Sequence, residues 1–252
     1  MTKKIVEIAN LKREFKMGEE IVGALKGISF SVNEGEFVTI MGASGSGKTT
    51  LLNILGCLDK PTEGTYLLDD VNIGKLSRNE LAKIRNEKIG FVFQSYNLLA
   101  RTSAIENVEL PLLYNPSVSK SEREKRALAS LDAVKLSDRK DHLPNQMSGG
   151  QQQRVAIARA LINHPVMILA DEATGNLDTR TSYEIMALIQ ELNVNGKTIV
   201  FVTHEPDIAS FSSRTITLRD GRIIRDLKNE NIRSAKKALA ELPVNEDVEG
   251  WG

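Results

Sequence analysis

Residues 42–50, GASGSGKTT, follow the apolar run FVTIM and precede a helical pattern of leucine and isoleucine. Four of them match the spacing G-x-x-x-x-G-K-[ST], namely Gly42, Gly47, Lys48 and Thr49. Glycines let several backbone N–H groups converge on phosphate oxygens, and a helix that begins at Lys48 adds the positive end of its dipole. We therefore expect the whole loop to bind phosphate: Gly42, Ala43, Ser44, Gly45, Ser46, Gly47, Lys48, Thr49 and Thr50. Lys48 would reach the β- and γ-phosphates of a nucleotide, and Thr49 would bind Mg²⁺.

Two further apolar runs end in polar residues. VMILADE (166–172) ends in Asp171 and Glu172, and TIVFVTHEP (198–206) carries His204 after its apolar part. Such runs are typical of buried parallel strands, whose carboxyl ends open into a ligand crevice. There Asp171 could bind the metal through water, Glu172 could accept a proton from the attacking water, and His204 could reach a γ-phosphate. An acidic loop after a core strand is the plain alternative, but it explains a single carboxylate better than a pair.

A third polar segment lies within MSGGQQQRVAIARAL, residues 147–161. Ser148 and Gln151 have the spacing of a capping box, which predicts that a helix starts at Ser148 with free N–H groups able to meet phosphate charge. Gly149 and Gly150 would let a phosphate approach the bare backbone. A plain glycine-rich helix cap explains one of these glycines but not the pair.

The elements that position these residues follow from the apolar pattern. Strands are predicted at 5–8, 28–32, 37–41, 166–172 and 198–206. Residues 95–165 have a helical pattern in which Pro165 ends the last helix, and 214–224 form a hairpin that turns at Asp220–Gly221. A final amphipathic helix is predicted at 231–242. The sequence leaves three arrangements of this helix open: it could pack on the body of its own chain, pack on a partner subunit, or remain a frayed appendage.

Composition limits the kinds of partner. Lys plus Arg and Asp plus Glu both number 33, so no overall basic field favours nucleic acid or an anionic membrane. The only cysteine, Cys57, is interpreted as a core thiol, which fits a reducing compartment. No stretch approaches the ~20 apolar residues that span a bilayer, and the amino terminus lacks the apolar segment of a signal peptide. We therefore expect a chain that is neither secreted nor membrane-spanning by itself.

Taken together, these motifs resemble the ATP-binding subunits of ABC (ATP-binding cassette) transporters over nearly all of residues 4–226. The matching segments, in the family's order, are GASGSGKT (42–49), Gln94 after IGFVF, MSGGQ (147–151), ILADE (168–172), GNLD (175–178) and His204. The resemblance implies an ATPase whose catalytic residues are Glu172, His204 and Lys48. It also implies that Ser148, Gly149, Gly150 and Gln151 face a nucleotide held by the other subunit of a dimer.

Two further residue roles come from the same resemblance. Gln94 links the nucleotide to a helical insert and joins Thr49 and Asp171 as a metal ligand. Phe15 takes the position where the family stacks an aromatic ring on adenine, with packing in a small β-sheet as the alternative.

Finer resemblance points to one group within the family. FVFQSYNLL (91–99), ENVELPLL (106–113) and SGGQQQRVAIARAL (148–161) are similar to the lipoprotein-releasing and macrolide-exporting ATPases. This implies a chain that binds ATP and Mg²⁺, forms a homodimer on ATP binding and drives integral membrane permease subunits. The resemblance also allows for a periplasmic or extracytoplasmic adaptor as a partner, and it implies no nucleic-acid partner. It places the chain at the cytoplasmic face of the inner (plasma) membrane, attached through the permease.

Some residues depart from the family pattern. Met147 replaces the commoner leucine, a change that conserves volume. ARTSA (100–104) lacks the apolar and proline residues often found there, which bears on the surface that docks the permease. Asn176 replaces a small residue in the loop that crosses the dimer interface, and the sequence gives no reason for it.

The expected fold is an α/β P-loop NTPase of the ABC ATPase type. It has a nucleotide-binding core, an N-terminal antiparallel β-subdomain and an inserted α-helical subdomain at roughly 95–165, all within 1–226, followed by a C-terminal tail at 227–252 with a short amphipathic helix. Two other functions stay open: a nucleotide-dependent regulator of a cell-division or peptide-sensing permease, and a DNA-repair-type ATPase of the same superfamily. The short segment between Gly42 and Ser148 leaves no room for the long coiled coil of many repair proteins.

Overall fold

Residues 2–243 are the part of the chain that the computed structural model describes. Its strands are β1 (Lys4–Met17), β2 (Glu20–Asn33), β3 (Phe37–Met41), β4 (Glu63–Leu68), β5 (Val71–Asn72), β6 (Ile89–Phe93), β7 (Met167–Asp171), β8 (Ile199–Thr203), β9 (Arg214–Arg219) and β10 (Arg222–Lys228). Its α-helices are α1 (Lys48–Leu55), α2 (Arg78–Lys88), α3 (Ala104–Glu109), α4 (Lys120–Ala133), α5 (Gly149–Leu161), α6 (Thr179–Val194), α7 (Pro206–Ala209) and α8 (Ala235–Glu241). Short 3-10 turns connect several of them.

The strands form two sheets. One has the order β2-β1-β4-β5 and is antiparallel, and the other has the order β10-β9-β3-β8-β7-β6. In the second sheet β9, β3, β8, β7 and β6 run parallel, and β10 pairs antiparallel with β9. The carboxyl ends of the parallel strands therefore lie at one edge of this sheet, where loops can form a shared site.

Two hydrophobic cores cover the two faces of the six-stranded sheet. Because successive side chains of a strand point to opposite faces, Val38 and Ile40 join the core that also contains α1 and the antiparallel sheet. Phe37 of the same strand joins the other core, with Phe201 and the apolar residues of α3, α4, α5, α6 and α8. Cys57 is buried in the first core, as expected, and burial raises the pKa of its thiol to about 12.

The helical insert lies between two neighbouring strands, β6 and β7. It comprises α3, α4 and α5, with α5 packed on β6. The predicted helix at the signature segment is present and begins at Gly149 with Ser148 as its cap. It ends at Leu161, with Ile162 as its C-terminal cap and Pro165 three residues further on. The chain leaves the helix in a turn closed by the His164 amide, which donates to Leu161 O, with His164 in the left-handed region.

The first two strands are much longer than the predicted segments 5–8 and 28–32. Each has 14 residues, and register shifts interrupt their pairing, for example between Ile8 and Leu11. Such bulges break the alternation of apolar and polar residues, which is why the sequence pattern covers only part of each strand.

The helix in the C-terminal tail is also shorter than expected. The helix α8 spans Ala235–Glu241, not 231–242, because Ser234 is its cap and accepts a hydrogen bond from the Lys237 amide. Ala235 and Ala238 are buried against α6, so the helix packs on the body of its own chain. The acidic segment 244–252, with Trp251, lies outside the described residues.

The close approach of α5 to β6 gives a stability prediction. A Cβ at Gly90 would overlap the carbonyl oxygen of Ala160, which is backbone and cannot turn aside. We expect Gly90→Ala to lower the free energy of unfolding by about 1–3 kcal/mol, measured by urea denaturation. Gly23→Ala is the matched control, because its Cβ would lie 3.6 Å from the flexible Lys26 side chain. Equal stability of the two variants would contradict the packing described here.

Candidate functional site

A cleft of about 960 Å³ opens at the carboxyl ends of β3, β6, β7 and β8. It lies at the upper end of the range of about 300–1,000 Å³ for small-molecule sites. The sequence predicts most of its lining residues: Gly42, Ala43, Ser44, Gly45, Gly47, Lys48, Thr49, Thr50, Gln94, Asp171, Glu172 and His204. Four others have no signal in the sequence that marks them as ligands: Ala24, Met41, Val202 and Thr217.

The helix α1 points its first turn at this cleft without a side-chain cap. Its cap residue, Gly47, has φ 105 and no side chain to accept a hydrogen bond. The first amide bonded back to the loop is that of Leu51, which donates to Gly47 O at 2.9 Å. The amides of residues 48–50 therefore precede the first bond of the helix and stay available to an anion. By contrast, α2, α3, α4, α5, α6 and α8 all carry a Ser or Asp cap.

The Lys48 side chain folds back across the loop. Its Nζ donates hydrogen bonds to Gly42 O at 2.7 Å and Ala43 O at 3.0 Å. The ammonium group is thus held against the first two residues of the loop that leads into the uncapped helix α1. The loop is built to hold a polyanion.

Close backbone contacts explain the glycines of the loop. A Cβ at Gly42 would lie 2.5 Å from Leu218 O and would overlap the Ser46 hydroxyl. A Cβ at Gly47 would lie 2.8 Å from the Ala24 carbonyl oxygen, and one at Gly221, in the β9–β10 turn, would lie 2.7 Å from the same oxygen. The Gly221 amide also donates to Ser46 O at 3.0 Å. The loop is therefore fixed between β2 and the β9–β10 hairpin.

Ser46 itself is buried beneath the loop and does not line the cleft. Its hydroxyl has no hydrogen-bond partner among residues 2–243. Buried polar atoms in proteins usually have a hydrogen-bond partner.

The two predicted carboxylates lie on one wall of the cleft. Asp171 ends β7, and burial raises the pKa of its carboxyl group, the neighbouring Glu172 raises it further and Lys48 lowers it. Glu172 has φ 43, in the left-handed region, and its amide donates to Val202 O at 2.9 Å. A non-glycine residue in this conformation is strained, and such strain is common where a side chain must point into a site.

His204 lies beside Glu172. Its Nδ1 is 2.8 Å from Glu172 Oε1, and an ionised carboxylate can only accept, so Nδ1 donates. The pair joins the end of β7 to the end of β8. One oxygen of Glu172 is thereby held, and the orientation of its carboxylate is set by a partner 32 residues away.

The segment 148–151 does not line this cleft. Its capping box is present, because Ser148 Oγ accepts from the Gln151 amide at 3.3 Å and Gln151 Oε1 accepts from the Ser148 amide at 2.9 Å. A Cβ at Gly149 would lie 2.8 Å from the Tyr96 hydroxyl, and one at Gly150 would lie 2.5 Å from Thr181 Cγ2. Packing inside the chain therefore favours glycine at both positions, which a helix cap alone does not explain.

Phe15 also lies outside the cleft lining. It is on β1, about one third exposed, and the guanidinium group of Arg13 lies 4.4 Å from the centre of its ring. The ring therefore has a cation–π partner within its own strand.

Comparison with known proteins decides the family. The model of the ABC transporter family matches residues 25–175. The chain belongs to the ABC transporter family. It is 52% identical to the uncharacterized ABC transporter ATP-binding protein YvrO of Bacillus subtilis, over 90% of this chain and 98% of that one. It is 54% identical to the uncharacterized ABC transporter ATP-binding protein MJ0796 of Methanocaldococcus jannaschii, over 89% of this chain and 97% of that one.

Longer relatives and solved structures extend the comparison. The ABC family member MacB of Chlorobaculum tepidum, a macrolide export ATP-binding/permease protein, is 52% identical over 91% of this chain but only 35% of its own length. The solved dimer of the ATP-binding cassette MJ0796 in a post-hydrolysis state bound to ADP and Pi has a TM-score of 0.81 and 52% identity. It covers 89% of this chain and 99% of that one.

These findings confirm the predicted fold class: an ABC ATPase domain with a nucleotide-binding core, an antiparallel β-subdomain and a helical insert. They also confirm that the chain is an ATP-binding, ATP-hydrolysing domain of the ABC transporter family. In the described part of the chain, no helix combines the length and apolar character that crossing a bilayer requires.

Proposed function

We propose that this ABC ATPase is a subunit that dimerises around two ATP molecules and drives separate membrane permease subunits of the lipoprotein-releasing or macrolide-exporting type. One observation carries the proposal. The uncapped end of α1, Lys48 and the carboxylates Asp171 and Glu172 converge in one cleft, whereas the segment 148–151 lies outside it. A second copy of the chain would supply that segment to complete the site.

Within this proposal the loop 42–50 binds the phosphates of ATP. Its free amides and the Lys48 ammonium group meet the negative charge, and the glycines keep side chains out of the way. Mg²⁺ fits the same cleft, because Thr49, Gln94 and Asp171 offer the oxygen ligands it prefers, and a cation would favour the ionised form of the half-buried Asp171. When bound, Mg²⁺ supplies positive charge to the β- and γ-phosphate oxygens.

Glu172 is proposed as the general base. Its carboxylate lines the cleft, and one of its oxygens is held by His204 Nδ1, which leaves the other free to accept a proton from a water molecule. His204 orients that carboxylate and lines the same cleft, within reach of a bound nucleotide's terminal phosphate. Lys48 stabilises charge on the phosphates during the reaction.

The remaining roles concern partners. The segment Ser148 to Gln151 is proposed to face the nucleotide of the second subunit, and dimeric structures of the relative MJ0796 support this arrangement. The MacB relatives are named as ATP-binding/permease proteins, and this chain spans 35–38% of their length. Their names support a membrane permease as the partner of this ATPase. An extracytoplasmic adaptor and attachment to the cytoplasmic face of the membrane through the permease belong to the same proposal, as does stacking of adenine on Phe15.

Removal of the lysine tests nucleotide binding. Lys48→Ala should weaken ATP binding about 10- to 100-fold, the scale of a lost charge-assisted hydrogen bond, because the charge acts on the phosphates before the reaction begins. Titration calorimetry gives the affinity. Lys83→Ala removes an exposed lysine of α2 as the control and should bind ATP like the wild type. Unchanged affinity in Lys48→Ala would contradict the role.

Neutralising the proposed base tests hydrolysis. Glu172→Gln should keep ATP binding but lower the turnover rate by about 10²-fold or more, because an amide cannot take the proton. Phosphate release measures the rate, and size-exclusion chromatography with ATP should show a stable dimer. Glu191→Gln, an exposed position on α6, serves as the control. Hydrolysis near the wild-type rate would assign the base elsewhere, with His204 the next candidate.

A mixed dimer tests the composite site. One subunit carries Glu172→Gln and the other carries Glu172→Gln with Gly149→Asp, separated by two affinity tags. The added carboxylate would repel the γ-phosphate bound to the opposite subunit, so one ATP should be retained per dimer instead of two.

The control for this experiment is needed because Gly149 packs against Tyr96 and Leu177. Gly149→Ala in place of Gly149→Asp adds the same Cβ without the charge and should retain two ATP molecules. Retention of two nucleotides with Gly149→Asp would show that the segment faces neither nucleotide. Loss of ATP by the isolated Gly149→Asp subunit would show that the segment serves its own chain.

A further inference from the structure

Asn176 is bonded twice to Gln94. The Gln94 Nε2 donates to Asn176 Oδ1 at 3.2 Å, and the Asn176 Nδ2 donates to the backbone oxygen of Gln94 at 3.1 Å. Gln94 directly follows β6 and lines the cleft, whereas Asn176 lies in the loop between β7 and α6. The side chain that the family pattern leaves unexplained thus reaches a residue of the nucleotide site.

The two bonds fix which way each amide group points. A backbone carbonyl oxygen can only accept, so it must face the NH₂ group of Asn176. Asn176 Oδ1 then faces Gln94, and because that oxygen can only accept, it must meet Nε2 of Gln94 and not Oε1. The backbone oxygen of Gln94 thus orients the Asn176 side chain, and Asn176 in turn orients the Gln94 side chain.

The oxygen of Gln94 is left available by this arrangement. Among residues 2–243, Gln94 Oε1 takes part in none of the hydrogen bonds, while Nε2 is engaged by Asn176. Without the Asn176 pair, rotation of the amide by half a turn would exchange oxygen for nitrogen at nearly the same place. A metal ion binds the oxygen only, so such rotation would remove a ligand.

The loop that carries Asn176 is itself held in place. The Gly175 amide donates to Glu172 O at 2.8 Å, and the buried Gln153 side chain donates to Ala173 O at 2.7 Å. A Cβ at Gly175 would lie 2.7 Å from Gln94 Nε2, so glycine there lets the loop lie directly against Gln94. Asn176 is therefore a short side chain on a fixed backbone.

We propose that Asn176 is a positioning residue that orients the Gln94 carboxamide so that Oε1, and not Nε2, faces Mg²⁺ bound with the nucleotide. This rests on the proposed function, in which Gln94 is a metal ligand. It also means that the loop after β7 and the start of the helical insert share one hydrogen-bonded contact at the nucleotide site. A residue without a side-chain amide at position 176 leaves Gln94 free to turn.

The test measures how much Mg²⁺ improves nucleotide binding. The full chain is titrated with the non-hydrolysable ATP analogue AMP-PNP, once with Mg²⁺ and once with EDTA, by calorimetry. In Asn176→Ala the factor by which Mg²⁺ increases the affinity for AMP-PNP should fall about 3- to 10-fold. This is the scale of one or two lost hydrogen bonds at an exposed position. The affinity measured in EDTA should not change.

A double-mutant cycle with Gln94→Ala shows whether the effect passes through Gln94. Asn176→Ala should cause no additional loss in the Gln94→Ala background. The inference is overturned by an equal loss in Mg²⁺ and EDTA, by a full effect in the Gln94→Ala background, or by an Asn176→Ala protein identical to the wild type. A wild-type protein that binds no nucleotide in either buffer would instead overturn the proposed function, and this inference with it.

Discussion

The in-register parallel pairing of β3, β8, β7 and β6 is the constraint on which the site depends. Met41 pairs with Thr203, Asp171 with Val202, and Phe93 with Asp171. The loop 42–50, which we call the phosphate loop for its proposed role, therefore begins within one residue of the same line across the sheet as His204, Glu172 and Gln94. A shift of one strand by a single residue would turn its buried side chains to the wrong face. The two cores that hold the register therefore also hold the distances between the proposed catalytic groups.

The helix α5 connects this edge of the sheet to the helical insert. Its buried Gln153 bonds to the loop after β7, and its Arg159 donates to Tyr96 O at 2.7 Å and to Asn97 O at 2.5 Å. Tyr96 and Asn97 are both in the left-handed region, and burial lowers the pKa of the Arg159 guanidinium group without removing its charge. The helix α5 thus holds both the main chain that follows Gln94 and the main chain that follows Glu172. A movement of α5 would therefore displace both segments.

Local patterns predict the parts of this structure that depend on local physics. The phosphate loop, the buried strands and the cap at Ser148 follow from short segments, because bending, apolar periodicity and capping each act over a few residues. The lengths of β1 and β2 could not be predicted, since bulges such as that beside Asn10, which has φ 48, break the alternation. The roles of Gln153, Arg159 and Asn176 could not be predicted either, because their partners are 20 to 82 residues away in the chain.

The carbonyl oxygen of Ala24 lies against both the phosphate loop and the β9–β10 turn, and neither Gly47 nor Gly221 leaves room for a side chain there. Surface hairpin turns usually accumulate substitutions freely during evolution. In this turn, a Cβ at Gly221 would lie 2.7 Å from the Ala24 oxygen, so a side chain there would push the turn and β2 apart. Three segments far apart in the sequence therefore meet at one oxygen atom, and we expect a substitution at Gly221 to disturb the proposed binding site although the turn itself does not form it.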